Sequence, residues 1–337
     1  MRAVVYCGKE DIRVQDVAEP QIGPGENLVR VRYGGICGTD VAIYGGKHPR
    51  AKPPLVLGHE IFGRIAKVGA AVQGEYREGM RVAICPLIPC GRCLPCREGN
   101  VNVCETLRMV GIDRDGGFAE FLKVGPEQVV PVPDAVTDEQ AAVVEPLSVA
   151  VHAVANSRFR PGDTALVIGG GPVGNLVAQV LQASGARTVI VSEPKPYRRD
   201  LAMRLGFPVI DPSREDVQQI LQRLLGAASV DTVFEASGHP SAYNDAVLGC
   251  KVKGQINLVG APRVRPEIDI LDIVFKEISM TGARVYTPRD YLAAIALLAR
   301  NAIQVAPLVE RIPLEEAAAG FQKMISGDKS LKVLLAA

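Results

Sequence analysis

Two textures of apolar and polar positions divide the chain. Over residues 1 to about 150, short alternating or apolar runs such as "MRAVVY", "NLVRVRYGG", "IFGRIAKVG" and "RVAIC" are separated by turn signals like "GPGE" and "EGM". Short runs of period two, punctuated by Gly and Pro, predict strands and therefore a compact β-rich domain. From about Thr164 the texture changes. Strand-like apolar runs ("TALVIGG", "RTVIVSE", "FPVID", "VDTVFEAS", "GQINLVG", "ISMTGARV") alternate with helical segments such as "PVGNLVAQVLQASG" and "REDVQQILQRLLG". Six apolar strands with intervening helices predict an α/β fold with a doubly wound parallel sheet. "PRDYLAAIALLARNA" reads as an amphipathic helix, and the tail after it, ending in the apolar "LKVLLAA", is expected to pack back on the first domain. The expected boundaries are 1–150, 151–286 and 287–337, with a small lobe at about 85–106.

Composition narrows the partners. In 337 residues, 38 Lys+Arg nearly cancel 37 Asp+Glu without any like-charge block, which argues against nucleic acid or a membrane surface and for a small, weakly charged molecule. "MRAVVYCGKEDIRV" carries charge too early for a signal peptide, and "AAVVEPLSVAVHAVA" is broken by Glu145 and Pro146 before reaching the roughly 20 residues of a bilayer span. A soluble, cytoplasmic protein is expected. Five of the eight cysteines crowd between Cys85 and Cys104, a pattern for metal rather than for a disulfide framework.

Cys90, Cys93, Cys96 and Cys104 stand at C-x2-C-x2-C-x7-C. Such spacing lets one loop wrap four sulfurs around a tetrahedral zinc at about 2.3 Å, and four thiolates leave no open position, so the site is structural. The competing readings are an iron–sulfur cluster or plain buried thiols. Cys7, Cys85 and Cys250 lie outside the spacing and read as small buried hydrophobes. A second, dispersed set comprises Cys37 in "CGTD", His59 and Glu60 in "LGHEIFG", and Glu145 in "VVEPLSV". A thiolate, an imidazole and a carboxylate would hold a zinc that keeps an open fourth position and stays electrophilic. Spacing alone does not establish that these residues converge. His152 and His239 read as a helix residue and a loop residue.

"VIGGGPVGNLVAQV" follows a predicted strand and opens a predicted helix, with Gly169, Gly171 and Gly174 in the G-x-G-x-x-G register. The glycines permit a tight turn and close approach of the backbone. The helix start at Pro172 and Val173 then points free N–H groups and the positive dipole end at a pyrophosphate. Glu193 closes the next strand 19 residues after Gly174. A carboxylate there accepts from ribose hydroxyls and repels a 2′-phosphate, which favours NAD over NADP, although Lys195, Arg198 and Arg199 partly offset the repulsion.

Taken in order, "CGTD", "GHE", the four-cysteine run, "EPLSVAVHA" and "GGGPVG" resemble the zinc-dependent medium-chain alcohol dehydrogenases over essentially the whole chain. A glutamate in "EPLSV" is more similar to the polyol (sorbitol), butanediol and threonine dehydrogenase branch than to the primary-alcohol branch. The resemblance implies a GroES-like β-rich catalytic domain, a Rossmann domain binding NAD, and a C-terminal return to the first domain. It implies two zincs per chain. Cys37, His59 and either Glu60 or Glu145 would hold the catalytic one, and Cys90, Cys93, Cys96 and Cys104 the structural one. Thr39 matches the hydroxyl residue that hydrogen-bonds the alcohol. The family's relay histidine falls at Ala42, which leaves His48 or water to carry the proton onward. Homodimers or homotetramers are the family habit.

The expected activity is NAD- and zinc-dependent oxidation of a secondary hydroxyl on a polyol, sugar alcohol or sugar acid to the ketone. L-Threonine or 2,3-butanediol is the alternative substrate. A non-catalytic nucleotide-binding member of the fold is the reading from a different class. Joint retention of Cys37, Thr39, His59, Glu60 and Glu145 argues against that last reading. Tyr44, Ile43, Phe118 and Arg284 are the expected pocket-lining side chains.

Overall fold

The structure, a computed structural model, describes residues 1–327 and 330–337. Its contacts separate two compact units: residues 1–145 with 298–300 and 305–337, and residues 146–297 with 301–304. The first unit is built on a seven-stranded sheet. Its order is Val129–Pro131, Arg81–Ile84, Glu60–Val68, Asn27–Gly35, Lys332–Ala336, Val309–Pro313, with Phe121–Val124 also pairing with Asn27–Gly35. Neighbours along the chain pair antiparallel, as short Gly- and Pro-punctuated runs should. The strands Val309–Pro313 and Lys332–Ala336 run parallel, and the helix Ala317–Ser326 lies between them in sequence. Lys332–Ala336 adds itself antiparallel to Asn27–Gly35, with Leu334 opposite Gly35. The tail of the sequence thus completes the first sheet.

Side chains from both ends of the chain fill the core beneath this sheet. Ile36, Ile43, Leu57, Phe118, Phe321 and Val333 form one buried cluster, with Phe118 and Phe321 edge to face at 6.3 Å. Edge-to-face rings of this kind add about 0.5–1.5 kcal/mol beyond their burial. Ile43 and Phe118, expected at a substrate pocket, are core residues at 1% and 0% exposure. Ile43 lies near the end of the helix Gly38–Tyr44, and the Phe118 ring packs closely against Gly34 and Gly58, so both serve to seat the strand and helix that carry the site.

The second unit holds six parallel strands in the order Val209–Ile210, Thr188–Ser192, Thr164–Ile168, Val230–Glu235, Cys250–Leu258, Ser279–Gly282. The chain starts in the middle, works outward to one edge, and returns to build the other half. That reversal opens a crevice beyond the ends of Thr164–Ile168 and Val230–Glu235, where such sheets bind ligands. Leu166, Ile190, Val233 and Ile256 are fully buried because helices cover both faces of a parallel sheet. The helix Pro288–Ala299 contributes to this unit as far as Leu297. Asp290 on it accepts from the amide and hydroxyl of Thr287 and pairs with His152 Nδ1 at 2.8 Å. Among the described residues, no helix is long and apolar enough to cross a membrane.

Gly174 shows how tightly the first helix of this unit meets its strand. A Cβ there would lie 1.8 Å from the carbonyl oxygen of Gly169, a backbone atom that cannot swing aside. Gly174→Ala is expected to cost about 1–3 kcal/mol, in the range of overpacked cores, or more. Calorimetry should show a lowered melting transition, and an unshifted one would contradict the close contact.

Candidate functional site

The four-cysteine lobe hangs from a short antiparallel pair, Leu87–Ile88 with Arg108–Met109. Between them the chain makes one helical turn, Leu94–Arg97, and a 3-10 turn, Val101–Val103. These turns gather the sulfurs of Cys90, Cys93, Cys96 and Cys104 to within 4.8 Å of one another. All eight cysteines are free thiols, and Cys7 and Cys85, expected as buried hydrophobes, are only half-buried whereas Cys250 is buried. Cys7 lies near the end of the strand Arg2–Gly8, where the side chain reaches the surface of the sheet.

The chemistry of this donor set calls for a cation. Backbone N–H groups of Arg92 and Cys93 pull the Cys90 thiol down to about 6, towards the thiolate that binds metal. Partial burial and the Cys93 sulfur push Cys96 up to about 12. Four sulfurs packed together cannot all ionise alone. A divalent ion at their centre removes the conflict, and a closed tetrahedral set of four thiolates fits zinc.

The second cluster forms where the strand Asn27–Gly35 ends and the helix Gly38–Tyr44 begins, facing the start of Glu60–Val68. Gly35 is paired with Glu60 in the ladder, so Cys37, His59 and Glu60 meet across adjacent strands. One donor atom from each lies within 4.8 Å of the others. Sequence spacing left this convergence open. Glu145, at the start of the helix Val144–Ala155, is buried but falls outside that tight group. Its charge nevertheless acts on Lys332, which touches Glu60.

Asp40, a residue that spacing did not single out, organises this cluster. Its Oδ2 accepts from the Cys37 amide at 2.8 Å and its Oδ1 faces His59 Nδ1 at 3.5 Å, both groups being buried. A carboxylate behind a histidine fixes the ring and leaves Nε2 as the donor for a metal. The pocket is electrostatically prepared for a positive charge. Burial disfavours an imidazolium at His59, yet Asp40 and Cys37 outweigh it and hold the pKa well above its ordinary value. Asp40 Oδ1 and His59 Nδ1 are also buried without a well-formed hydrogen bond, which tighter metal-bound geometry would relieve. The donor set therefore fits zinc.

Thr39 sits half-buried in the first turn of the same helix. His48 follows that helix, and its Nδ1 accepts from the amides of Ala51 at 3.2 Å and Arg50 at 3.4 Å. Partial burial and the Arg50 charge lower its pKa, so the ring is neutral at physiological pH with Nε2 carrying the proton. Tyr44 is half-buried against Phe321, and Arg284 is exposed on the second unit.

The Gly-rich turn lies in the second unit. Gly169 takes φ +105°, a conformation reserved for glycine, and Gly171 caps the helix Pro172–Ala183. A Cβ at Gly171 would meet nothing nearer than Arg198 Nη1 at 3.6 Å, so the turn leading into Pro172 and Val173 has open space on that side, bounded by one guanidinium. Asn175, which sequence reading passed over, pins the turn by donating to the carbonyls of Gly170 at 2.6 Å and Gly171 at 3.2 Å. Glu193 accepts from Gly170 N–H at 2.8 Å and Lys195 N–H at 2.9 Å, with Arg198 3.7 Å away. Across the crevice, Glu235 Oε1 accepts from the amides of Ser237 and Gly238 at 2.8 Å each. Its backbone oxygen takes those of Val259 and Gly260, which ties two strand-end loops together.

Residues 23–134 match the alcohol dehydrogenase GroES-like domain and residues 172–300 the zinc-binding dehydrogenase domain. The chain is 36% identical to 2-dehydro-3-deoxy-L-galactonate 5-dehydrogenase of Pseudoalteromonas atlantica, over 99% of this chain and 98% of that one. It is 34% identical to L-threonine 3-dehydrogenase of Rhizobium etli, over 99% and 98%. The crystal structure of 2R,3R-butanediol dehydrogenase from Bacillus subtilis superposes with a TM-score of 0.93 at 30% identity, over 100% of this chain and 99% of that one.

The four-cysteine lobe can be tested without reference to turnover. Cys96→Ser is expected to lose one zinc per chain and to lower thermal stability, since structural zinc contributes about 10–16 kcal/mol of apparent binding energy in peptides. Unchanged zinc content and melting temperature would remove Cys96 from the ligand set.

Proposed function

The chain belongs to the zinc-binding medium-chain dehydrogenase family, as a zinc-dependent NAD(P) dehydrogenase acting on CH–OH groups, and from that premise we propose that it oxidises a secondary hydroxyl of a sugar acid, polyol or sugar alcohol with NAD. The observation that carries the chemistry is the meeting of Cys37, His59 and Glu60 beside the Thr39 helix turn. Zinc when bound makes a hydroxyl more acidic and nicotinamide accepts a hydride. The rest is done by side chains. Cys37 and His59, with Glu145 or Glu60 as the carboxylate, hold the metal, and Asp40 fixes the His59 ring. Thr39 Oγ1 accepts the hydroxyl proton as it releases its own to the next group in the relay. A water, or His48 once its Nδ1 is released from the Arg50 and Ala51 amides to receive a proton while Nε2 gives one up, carries that proton onward, because Ala42 has nothing to relay it.

The substrate class rests on the kind of relatives. A galactonate-type dehydrogenase supports a sugar acid, while the threonine and butanediol enzymes support smaller alternatives, and all sit on the same scaffold. A panel of L-galactonate and related sugar acids, polyols, 2,3-butanediol and L-threonine, read by NADH absorbance, should give the highest kcat/KM with a sugar acid or polyol. Higher kcat/KM with threonine or butanediol would reassign it.

Cofactor choice is assigned to Glu193, whose buried carboxylate is held in place by two backbone amides. Glu193→Ala should raise kcat/KM with NADP relative to NAD by about tenfold or more, as one removed like-charge repulsion of about 1.4 kcal/mol implies. An unchanged ratio would take Glu193 out of that role and leave selection to Lys195, Arg198 and Arg199.

A further inference from the structure

Arg50 is an exposed residue that no motif of the sequence marks, yet it grips two parts of the first unit at once. Its amide donates to His48 Nδ1 at 3.4 Å, beside the amide of Ala51 at 3.2 Å. Its guanidinium leaves the segment: Nη1 donates to the Leu107 carbonyl and faces Asp113 Oδ2 at 3.4 Å. Among the described residues, these side-chain contacts are the only hydrogen bonds or ion pairs that residues 48–54 make outside their own segment. Both landing points belong to the stem of the four-cysteine lobe. The Leu107 amide donates to the carbonyl of Cys104 at 3.3 Å, and Asp113 Oδ2 also accepts from the Met109 amide at 2.8 Å. A continuous line of bonds therefore runs from Cys104 through Leu107 and Arg50 to the ring of His48.

The other end of this line lies near the second cluster. After burial and the Arg50 guanidinium, the charges felt by the His48 ring are those of Asp113, Asp40 and His59, which puts it within electrostatic reach of the Cys37 group. An ion pair as exposed as that of Arg50 with Asp113, at 42% and 14%, adds little stability, so its worth lies in placement. The two bonds to Nδ1 are long, and the ring can leave them to take a proton while the guanidinium keeps the segment docked. We propose that Arg50 is a positioning residue that fastens the His48 segment to the four-cysteine lobe, so that metal held by the lobe fixes the place of His48 beside the catalytic cluster. The inference rests on the zinc reading of the lobe and the relay reading of His48. The zinc content of the unaltered protein tests the first separately, and the kcat/KM of His48→Gln tests the second.

The decisive experiment is a cycle of Arg50→Met, Cys96→Ser and the double variant, read by NMR of the histidine rings below each protein's melting transition. The chain has four histidines, and His48→Gln assigns the ring in question. Arg50→Met should shift that resonance and raise the His48 pKa towards its ordinary value, since burial and the guanidinium charge both hold it down. Cys96→Ser should shift the resonance too, but only while Arg50 is present, so the double variant should match Arg50→Met. In kcat/KM, Arg50→Met should lose about tenfold, and the double variant should lose no more than the worse of the two single ones, because residues in one bonded network are not additive. A Cys96→Ser shift that survives in the double variant would overturn the inference, as would additive losses, or full activity in Arg50→Met beside an impaired His48→Gln. Should Cys96→Ser fail to fold, cadmium bound in the lobe decides: its NMR resonance should move in Arg50→Met, and an unmoved one would end the proposal.

Discussion

Charge packed out of water is the constraint on which the first unit depends. Asp40, His59, Glu60 and Lys332 are each at most 4% exposed, and they sit within a few residues of Cys37 or in contact with its neighbours. Burying such groups is unfavourable unless every one is matched by an opposite charge or a hydrogen bond. Here Asp40 is matched to the Cys37 amide and His59, and Glu60 to Lys332. The remaining demand for positive charge falls between Cys37 and His59. The sheet, the Gly38–Tyr44 helix and the apolar cluster around Phe118 position these partners, so the arrangement of charge is a property of the fold itself.

Much of this was legible in the sequence because it is encoded locally. The four cysteines fall within fifteen positions, and the Gly-rich turn, its helix and the strand ending in Glu193 follow one another directly. Six apolar runs separated by helical segments likewise specified the parallel sheet, since burial on both faces demands continuous apolar strands. Periodicity alone could not sort Ile43 and Phe118 between pocket and core. Both are large and apolar beside the site, and only the packing shows them against Phe321 and Val333.

Long-range partners were illegible for a different reason. Lys332 lies 272 residues from Glu60, and a single lysine opening an apolar strand looks like an ordinary strand end. Asp40 was in plain view inside "CGTD", but its role depends on the fold bringing His59, from just before the strand Glu60–Val68, to within 3.5 Å of it. Asn175 and Glu235 also act through backbone amides and carbonyls rather than through any motif. Residues that orient others carry no signature of their own, whereas residues that do chemistry recur in recognisable company.

The strand that carries Lys332 pairs with Asn27–Gly35 only after the chain has traversed the whole six-stranded unit, so the first sheet is discontinuous in sequence. The entropic cost of closing so long a loop rises only logarithmically with its length, and folding of the intervening unit as a compact body shortens it further. The cluster of Cys37, His59 and Glu60 thus receives its buried cation from a strand 272 residues further along the chain than Glu60, and the sheet that carries the site is whole only once that strand has docked.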